Sequence, residues 1–210
     1  MGLDNCHVIV FAKAPVSGRV KTRLIPSLGA SAAAALYSKL VLHTLSIAVK
    51  AEVGPVDLWC SPSARDFFFT HCAGKFQVSL FNQPEGDLGG RMAHAFQETL
   101  KEASQALLIG TDCPALSPDE LRETAKILKG GADGVIIPTE DGGYVLIGLR
   151  RYSPELFEGI SWGTESVLRE TRGRFRRLGW SWHELPVQWD VDRPEDLERL
   201  KLHLQKMSGI

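Results

Sequence analysis

Apolar positions along the chain fall into short runs of β-rich residues separated by longer stretches of helical period. Residues 7–12 (HVIVFA) predict a buried strand, followed by a loop over 13–29 marked by Pro15, Gly18 and Pro26. Residues 30–51 predict a long Ala- and Leu-rich helix, 55–60 a second strand, and 63–72 a helix. Residues 76–81 alternate like a strand, 82–90 read as a loop, 91–103 as a helix, and 106–110 (ALLIG) as another buried strand. Ser117-Pro118-Asp119-Glu120 is a helix start: Ser117 can cap, Pro118 suits the first helical position, and Glu120 completes a capping box. That helix ends at Gly130-Gly131; 133–138 and 143–149 predict two strands. Residues 153–175 look helical with a break at 161–163, 180–187 predict a last strand, and 194–207 a closing helix. This alternation predicts an α/β fold, a mostly parallel twisted sheet with helices on both faces, built as a single domain over 1–210. Ligands of such sheets bind beyond the carboxyl ends of the strands, so the loops there are the places to look for chemistry.

Composition narrows the choice. With 44% hydrophobic and 23% charged residues in 210, the chain is globular rather than disordered. A formal net charge of -1 does not suggest a nucleic-acid binder or a membrane-surface protein. The apolar stretch 30–51 carries Ser31, Lys39, His43 and Lys50, among other polar residues, so a core helix is expected there and not a membrane span. Gly2 lacks the Ser or Thr at position 6 that a myristoylation signal needs. Four scattered cysteines with no C-x-x-C pair, and no basic leader, point to isolated thiols in a reducing, cytoplasmic setting.

The charge is unevenly placed. Between Asp4 and Glu52 stand Lys13, Arg19, Lys21, Arg23, Lys39 and Lys50, and no acid at all. Four of these cations crowd the loop after the first strand, where a polyphosphate would relieve their repulsion. Gly18 would let backbone N–H groups approach a phosphate. An extended backbone would aim Arg19, Lys21 and Arg23 the same way. The loop is not a Walker motif, because two residues separate Gly18 from Lys21-Thr22, and no G-x-G-x-x-G occurs. A plain solvated basic loop is the alternative.

Two acidic turns complement it. Asp112 follows the apolar run 106–110 at a strand tip, where it can ligate a hard divalent cation or merely cap a turn. Asp190 and Asp192 are separated by one residue, so extended backbone points both the same way. Helix capping accounts for Asp192 but poorly for Asp190. Magnesium together with Lys and Arg is a common means of stabilising a triphosphate in transfer chemistry. Gly89-Gly90 at a helix start could expose N–H donors, with Arg91 beside them. Asp141-Gly142-Gly143-Tyr144 is a hairpin signal that could also border a substrate.

Taken in order, the basic loop, G-D-L-G-x-R-M (86–92), L-I-G-T-D-C-P (108–114), D-G-G-Y-x-L-I-G-L (141–149) and D-V-D-x-P-E-D-L (190–197) resemble a bacterial GT-A-fold family of candidate glycosyltransferases. That family belongs to the nucleotide-diphospho-sugar transferase superfamily, and the resemblance runs from about His7 to Leu200. Lys21-Thr22-Arg23-Leu24 is also similar to the K-[ST]-R-L loop of the 2-phospholactate guanylyltransferases. The resemblance implies Asp112 as a metal-binding aspartate after the fourth strand and Asp192 as a second ligand, for Mg²⁺ or Mn²⁺. The chain departs from the Gly-rich first loop of the sugar-nucleotide pyrophosphorylases, since Phe11 to Arg19 replaces it.

The expectation is therefore a transferase acting on a nucleoside triphosphate or nucleotide sugar and a small-molecule acceptor. Nucleotidyl transfer to a phosphorylated acceptor is favoured because four clustered cations suit a triphosphate. Glycosyl transfer and non-catalytic nucleotide binding are the alternatives. Lys13, Arg19, Lys21 and Arg23 would neutralise phosphates, and Asp112 and Asp192 would hold the metal with Asp190 in reserve. Gly18, Gly89, Gly90 and Arg91 would border the nucleotide, and Asp141, Gly142, Gly143 and Tyr144 the acceptor.

Overall fold

A computed structural model describes residues 5–207 of the chain; the opening residues 1–4, Gly2 and Asp4 among them, lie outside that range. The elements in chain order are β1 (Cys6–Lys13), α1 (Ile25–Leu28), α2 (Ala30–Ala51), β2 (Val56–Ser61), α3 (Phe67–Phe76), β3 (Ser79–Asn82) and α4 (Leu88–Thr99). There follow β4 (Gln105–Ile109), α5 (Pro118–Lys129), β5 (Gly134–Pro138), β6 (Tyr144–Leu149), α6 (Val167–Arg177), β7 (Trp182–Glu184) and α7 (Asp196–Met207). The strands form one sheet in the order β3-β2-β1-β4-β6-β5-β7. β1, β2, β3 and β4 are mutually parallel, β6 is antiparallel to both β4 and β5, and β7 runs parallel to β5.

The continuous apolar runs become the central strands because both sheet faces are covered. β4 and β5 are buried along their whole length, whereas edge strand β3 is mostly exposed. One face packs on α2, α3 and α5 through Tyr37, Val41, Leu45, Phe69, Leu121 and Leu128. The other packs on α4 and α6 through Met92, Phe96, Leu168 and Phe175. A third cluster joins Leu24, Ala33, Leu40, Trp189, Val191 and Leu200, tying the segment after β1 to the last loop and closing helix. By length and composition α2 passes as a membrane span, yet half of its apolar window is buried, as the core-helix expectation requires.

Several predicted boundaries shift. The 13–29 segment is not bare loop: it holds a 3-10 turn at Thr22–Leu24 and α1. α3 starts at Phe67, where Asp66 caps it, and absorbs Phe76, which the alternation had assigned to a strand. α4 begins at Leu88 because Asp87 caps it, so Gly89 and Gly90 sit inside its first turn. The 153–175 stretch splits into a 3-10 turn at Pro154–Leu156 and α6, and the strand expected over 180–187 shrinks to β7. The Ser117–Glu120 capping box forms as expected.

Topology dictates which loops share a rim. β5 and β7 run in the same sense as β1 and β4, since β6 reverses between them. The segments after β1, β4, β5 and β7 therefore all leave the same edge of the sheet.

Candidate functional site at the strand tips

The loop leaving β7 does not stay on its own side. Gln188 N–H donates to Pro138 O at 2.8 Å and Gln188 O accepts from Glu140 N–H at 3.1 Å, pinning the loop to the tip of β5. Further on, Val191 N–H donates to Asp112 O at 2.8 Å, which brings the loop to the tip of β4. Along this stretch Trp189 and Val191 are buried while Asp190 and Asp192 keep partial exposure, the alternation that extended backbone demands.

Lys21 meets this loop from the other half of the sheet. Its ammonium donates to Val191 O at 2.6 Å and stands 2.7 Å from Asp112 Oδ1 and 4.0 Å from Asp192 Oδ1. Arg23 Nη1 pairs with the other oxygen of Asp192. Lys21 and Arg23 of the first loop and the widely separated Asp112 and Asp192 thus occupy one place. Two expectations are corrected. The loop is not extended: Lys21 adopts the left-handed conformation (φ 48, ψ 42) at the start of a 3-10 turn, which buries its side chain and leaves Arg23 outside. Nor do all four cations lack counter-charge, because Asp112 and Asp192 supply it to Lys21 and Arg23. Lys13, Gly18 and Arg19 are exposed on the same segment, and Gly18 has the positive φ of 80 that its turn requires.

The carboxylates crowd one another. The Asp190 carboxyl is pushed up to about 6, first by burial and then by the negative charges of Asp141 and Asp112, with Lys21 acting in the opposite direction. A local surplus of hard oxygen donors suits a divalent cation. No group of three or more His, Cys, Asp or Glu side chains among the described residues is placed to hold a metal, so Asp112, Asp190 and Asp192 do not make a ready-formed three-carboxylate cage. The donor set fits the magnesium style of binding, in which one or two carboxylates share the ion with substrate phosphates and waters. Asp192 does not act as the expected helix cap: Asp196 Oδ2 accepts from Asp192 N–H at 2.9 Å and Arg193 N–H at 2.6 Å, leaving the Asp192 carboxylate to the two cations.

The glycine turns divide. Asp141 Oδ1 accepts from Thr139 Oγ1 at 2.6 Å and Gly143 N–H at 3.0 Å, closing the β5–β6 turn with its carboxylate near Asp190. Gly142 has φ 86, and a Cβ there would stand 2.3 Å from Glu165 O. Gly89 is a packing glycine rather than a free donor: its Cβ would lie 2.4 Å from Trp162 Nε1 and 2.7 Å from Phe157 O. Gly90 N–H already donates to the Asp87 cap at 2.7 Å, and Arg91 Nε braces Gly86 O at 3.0 Å. Tyr144 turns its hydroxyl into the core beside Thr171, and burial pushes its phenol far up, so the hydroxyl does not face a substrate.

Sequence reading missed Tyr37. Its hydroxyl accepts from Lys13 N–H at 2.9 Å and from Thr111 Oγ1 at 3.1 Å, binding the tips of β1 and β4 together beneath the aspartate. Burial, aided by the Asp112 charge, pushes this phenol up to about 12. Within α2 it falls on the buried face and looks like any core aromatic, so no signal in the sequence separates it from its neighbours.

Comparison with known proteins bears on this site. Residues 44–164 match the model of a family described as "Uncharacterized protein conserved in bacteria (DUF2064)". No curated protein matches the chain. A crystal structure from Desulfovibrio desulfuricans G20, described as a candidate nucleotide-diphospho-sugar transferase, is similar at 31% identity and TM-score 0.82 over 92% of this chain and 84% of that one. The 4-diphosphocytidyl-2C-methyl-D-erythritol synthase of Anaerococcus prevotii shares the fold at 11% identity and TM-score 0.64, covering 96% and 97% of the two chains. Glucosyl-3-phosphoglycerate synthase of Mycobacterium tuberculosis, solved with Mn²⁺, uridine diphosphate and glucosyl-3-phosphoglycerate, shares it at 13% identity and TM-score 0.54, covering 91% and 74%.

Proposed function

Since the chain belongs to that bacterial family, we propose that it is a divalent-cation-dependent nucleotidyltransferase using a nucleoside triphosphate and a small phosphorylated acceptor. The observation that supports this most is the meeting of Lys21 with Asp112 and Asp192 at the strand tips, 2.7 and 4.0 Å away. The solved structures named as a nucleotide-diphospho-sugar transferase and a 4-diphosphocytidyl-2C-methyl-D-erythritol synthase share this architecture, which favours transferase chemistry at this rim.

In this proposal Lys13, Arg19, Lys21 and Arg23 bind the phosphates, and their fixed positive charge stabilises the charge that develops on the departing group. An oxygen of the acceptor phosphate attacks the α-phosphorus, the bond from that phosphorus to the bridging oxygen breaks, and pyrophosphate leaves. Asp112 and Asp192, with Asp190 beside them, would hold a divalent cation that neutralises phosphate charge. Gly18 allows the turn that carries Arg19. Gly90 and Arg91 would border the nucleotide through the loop they brace, and the Asp141–Gly143 turn the acceptor, with Gly89, Gly142 and Tyr144 giving that wall its shape.

Glycosyl transfer from a nucleotide sugar is the second reading. It is favoured by the fact that two of the four cations already have carboxylate partners, which leaves Lys13 and Arg19, a number suited to a diphosphate. The two separate cleanly by product. The chain is incubated with each nucleoside triphosphate, or with UDP-sugars, in the presence of Mg²⁺ and phosphorylated acceptors. Nucleotidyl transfer releases pyrophosphate; glycosyl transfer releases nucleoside diphosphate. The likeness of Lys21–Leu24 to the 2-phospholactate guanylyltransferase loop makes GTP the first nucleotide to try. Release of neither product across the panel would count against both.

A further inference from the structure

Lys21 combines three features that rarely coincide. It is a non-glycine residue in the left-handed region, it is a lysine with a side chain only 3% exposed, and its ammonium contacts the two aspartates proposed to hold a cation. A left-handed lysine is unfavourable by itself and persists only where its surroundings hold it. The holding contacts here are Val191 O, Asp112 and, at longer range, Asp192. Arg23 covers the remaining oxygen of Asp192.

We infer that Lys21 occupies the cation seat between Asp112 and Asp192 in the free protein, so that a divalent ion alone is refused and enters only when a phosphate chain draws the lysine out. This rests on the proposed cation site, and deepens it by fixing how the site is filled.

The physical reason is simple competition. An ammonium 2.7 Å from Asp112 Oδ1 and a divalent ion on the same oxygen would be a few ångströms apart, and like charges at that distance repel strongly in a partly buried setting. The seat thus holds one or the other. Lysine is a suitable occupant to displace, because its charge rides on a flexible four-carbon stem. A phosphate chain offers Lys21 and Arg23 new anionic partners at the moment the carboxylates receive the ion. Cation and phosphate ligand therefore assist each other, and by linkage each tightens the other by the same factor. Asp112 is 47% and Asp192 37% exposed as side chains, although Asp112 Oδ1 itself lies buried beneath the ammonium, so that oxygen is opened to an ion only when the lysine departs.

The test measures Mn²⁺ binding to the whole chain by electron paramagnetic resonance, with no nucleotide and no turnover. Wild type should bind Mn²⁺ weakly. Lys21→Met, which keeps the stem and removes the charge, should bind it at least about tenfold more tightly, within the usual span of coupling between sites. Adding Asp112→Asn to Lys21→Met should abolish the gain and so locate the ion. Should Lys21→Met fail to fold, Arg23→Ala provides the second variant: its side chain is 61% exposed, and it should give a smaller gain by freeing one Asp192 oxygen. Equal Mn²⁺ affinity in wild type and Lys21→Met, reduced in both by Asp112→Asn, would overturn the inference while leaving the cation site standing. Mn²⁺ binding to neither protein, or binding indifferent to Asp112→Asn, would also overturn the inference; an Asp112-dependent Mn²⁺ signal that appears when inorganic triphosphate is added would show that the cation site still stands, and its absence would remove the site as well.

Discussion

The two halves of the sheet bring opposite charges to one rim. The parallel half, β3-β2-β1-β4, contributes the basic segment with Lys13, Arg19, Lys21 and Arg23. The half containing β6, β5 and β7 contributes Asp141, Asp190 and Asp192, and Asp112 stands at the seam on the tip of β4. They also differ in how tightly they are built. Around Gly18 the first loop is open, with empty space where a methyl group would stand, whereas Gly142 is closed in by Glu165, and Gly89, on α4 of the parallel half, is closed in by Trp162 and Phe157 reaching over from the other half. One side therefore carries its positive charge on an open loop, while the other presents carboxylates on a close-packed wall. The apolar cluster of Leu24, Trp189, Val191 and Leu200 keeps the two in register.

The largest expected effect falls on the seam. Asp112→Asn should lower kcat/KM by at least about a hundredfold, as removal of a main electrostatic element does. Its side chain is 47% exposed, so the folded state should survive, which circular dichroism can verify. Near-normal turnover in this variant would break the comparison at its centre.

The contrast in rigidity is tested by alanine. Gly89→Ala and Gly142→Ala place a methyl 2.4 Å from Trp162 Nε1 and 2.3 Å from Glu165 O, and should cost about 1–3 kcal/mol, read as a drop in Tm. Gly18→Ala meets no neighbour and should cost only about 1 kcal/mol, from its positive φ. Equal losses at all three would erase the distinction between open loop and closed wall.

The acidic side predicts a pH dependence of known sign. The Asp190 carboxyl is raised to about 6 from 3.8, so the folded protein binds more protons than the unfolded chain between these values. Stability should therefore fall as pH rises from about 4 to about 6 and stay lower above. Asp190→Asn should be stabilising at pH 7, by up to about 2 kcal/mol, and nearly neutral at pH 4. Denaturant midpoints at the two pH values decide it; a variant equally stable at both relative to wild type would show that burial and the acidic neighbours do not raise the Asp190 carboxyl.

A modest effect is also expected of Tyr37→Phe. It leaves the Lys13 N–H without its partner, which should cost about 1–2 kcal/mol of stability and weaken phosphate binding a few-fold by loosening the β1–β4 seam. Unchanged melting would mean that the hydroxyl does not hold the tips together.

Much of this arrangement was legible in the sequence because local rules governed it. The buried runs became the central strands, and the Ser117–Glu120 box fixed the start of α5. The alternation of Trp189, Asp190, Val191 and Asp192 put both carboxylates on one side. What local rules missed was set by distant partners. Nothing within residues 13–29 announces that Lys21 turns left-handed and buries its side chain, because the partners it meets, Asp112 and Val191, lie far along the chain. Gly89 reads as a donor position until Trp162 is seen against it, and Tyr37 reads as core until Lys13 and Thr111 are found on its hydroxyl. Asp196, rather than Asp192, took the backbone N–H groups ahead of α7, a choice between two nearby carboxylates that the sequence leaves open.

The central claim is that the basic loop and the far aspartates form one polyphosphate site. Calorimetric titration of the chain with nucleoside triphosphates in Mg²⁺ tests it most directly, comparing wild type with Lys21→Ala and Asp112→Asn. Saturable binding that needs Mg²⁺ and is lost in both variants is the predicted result. Binding by none of the nucleotides, or binding that both substitutions leave untouched, would contradict it.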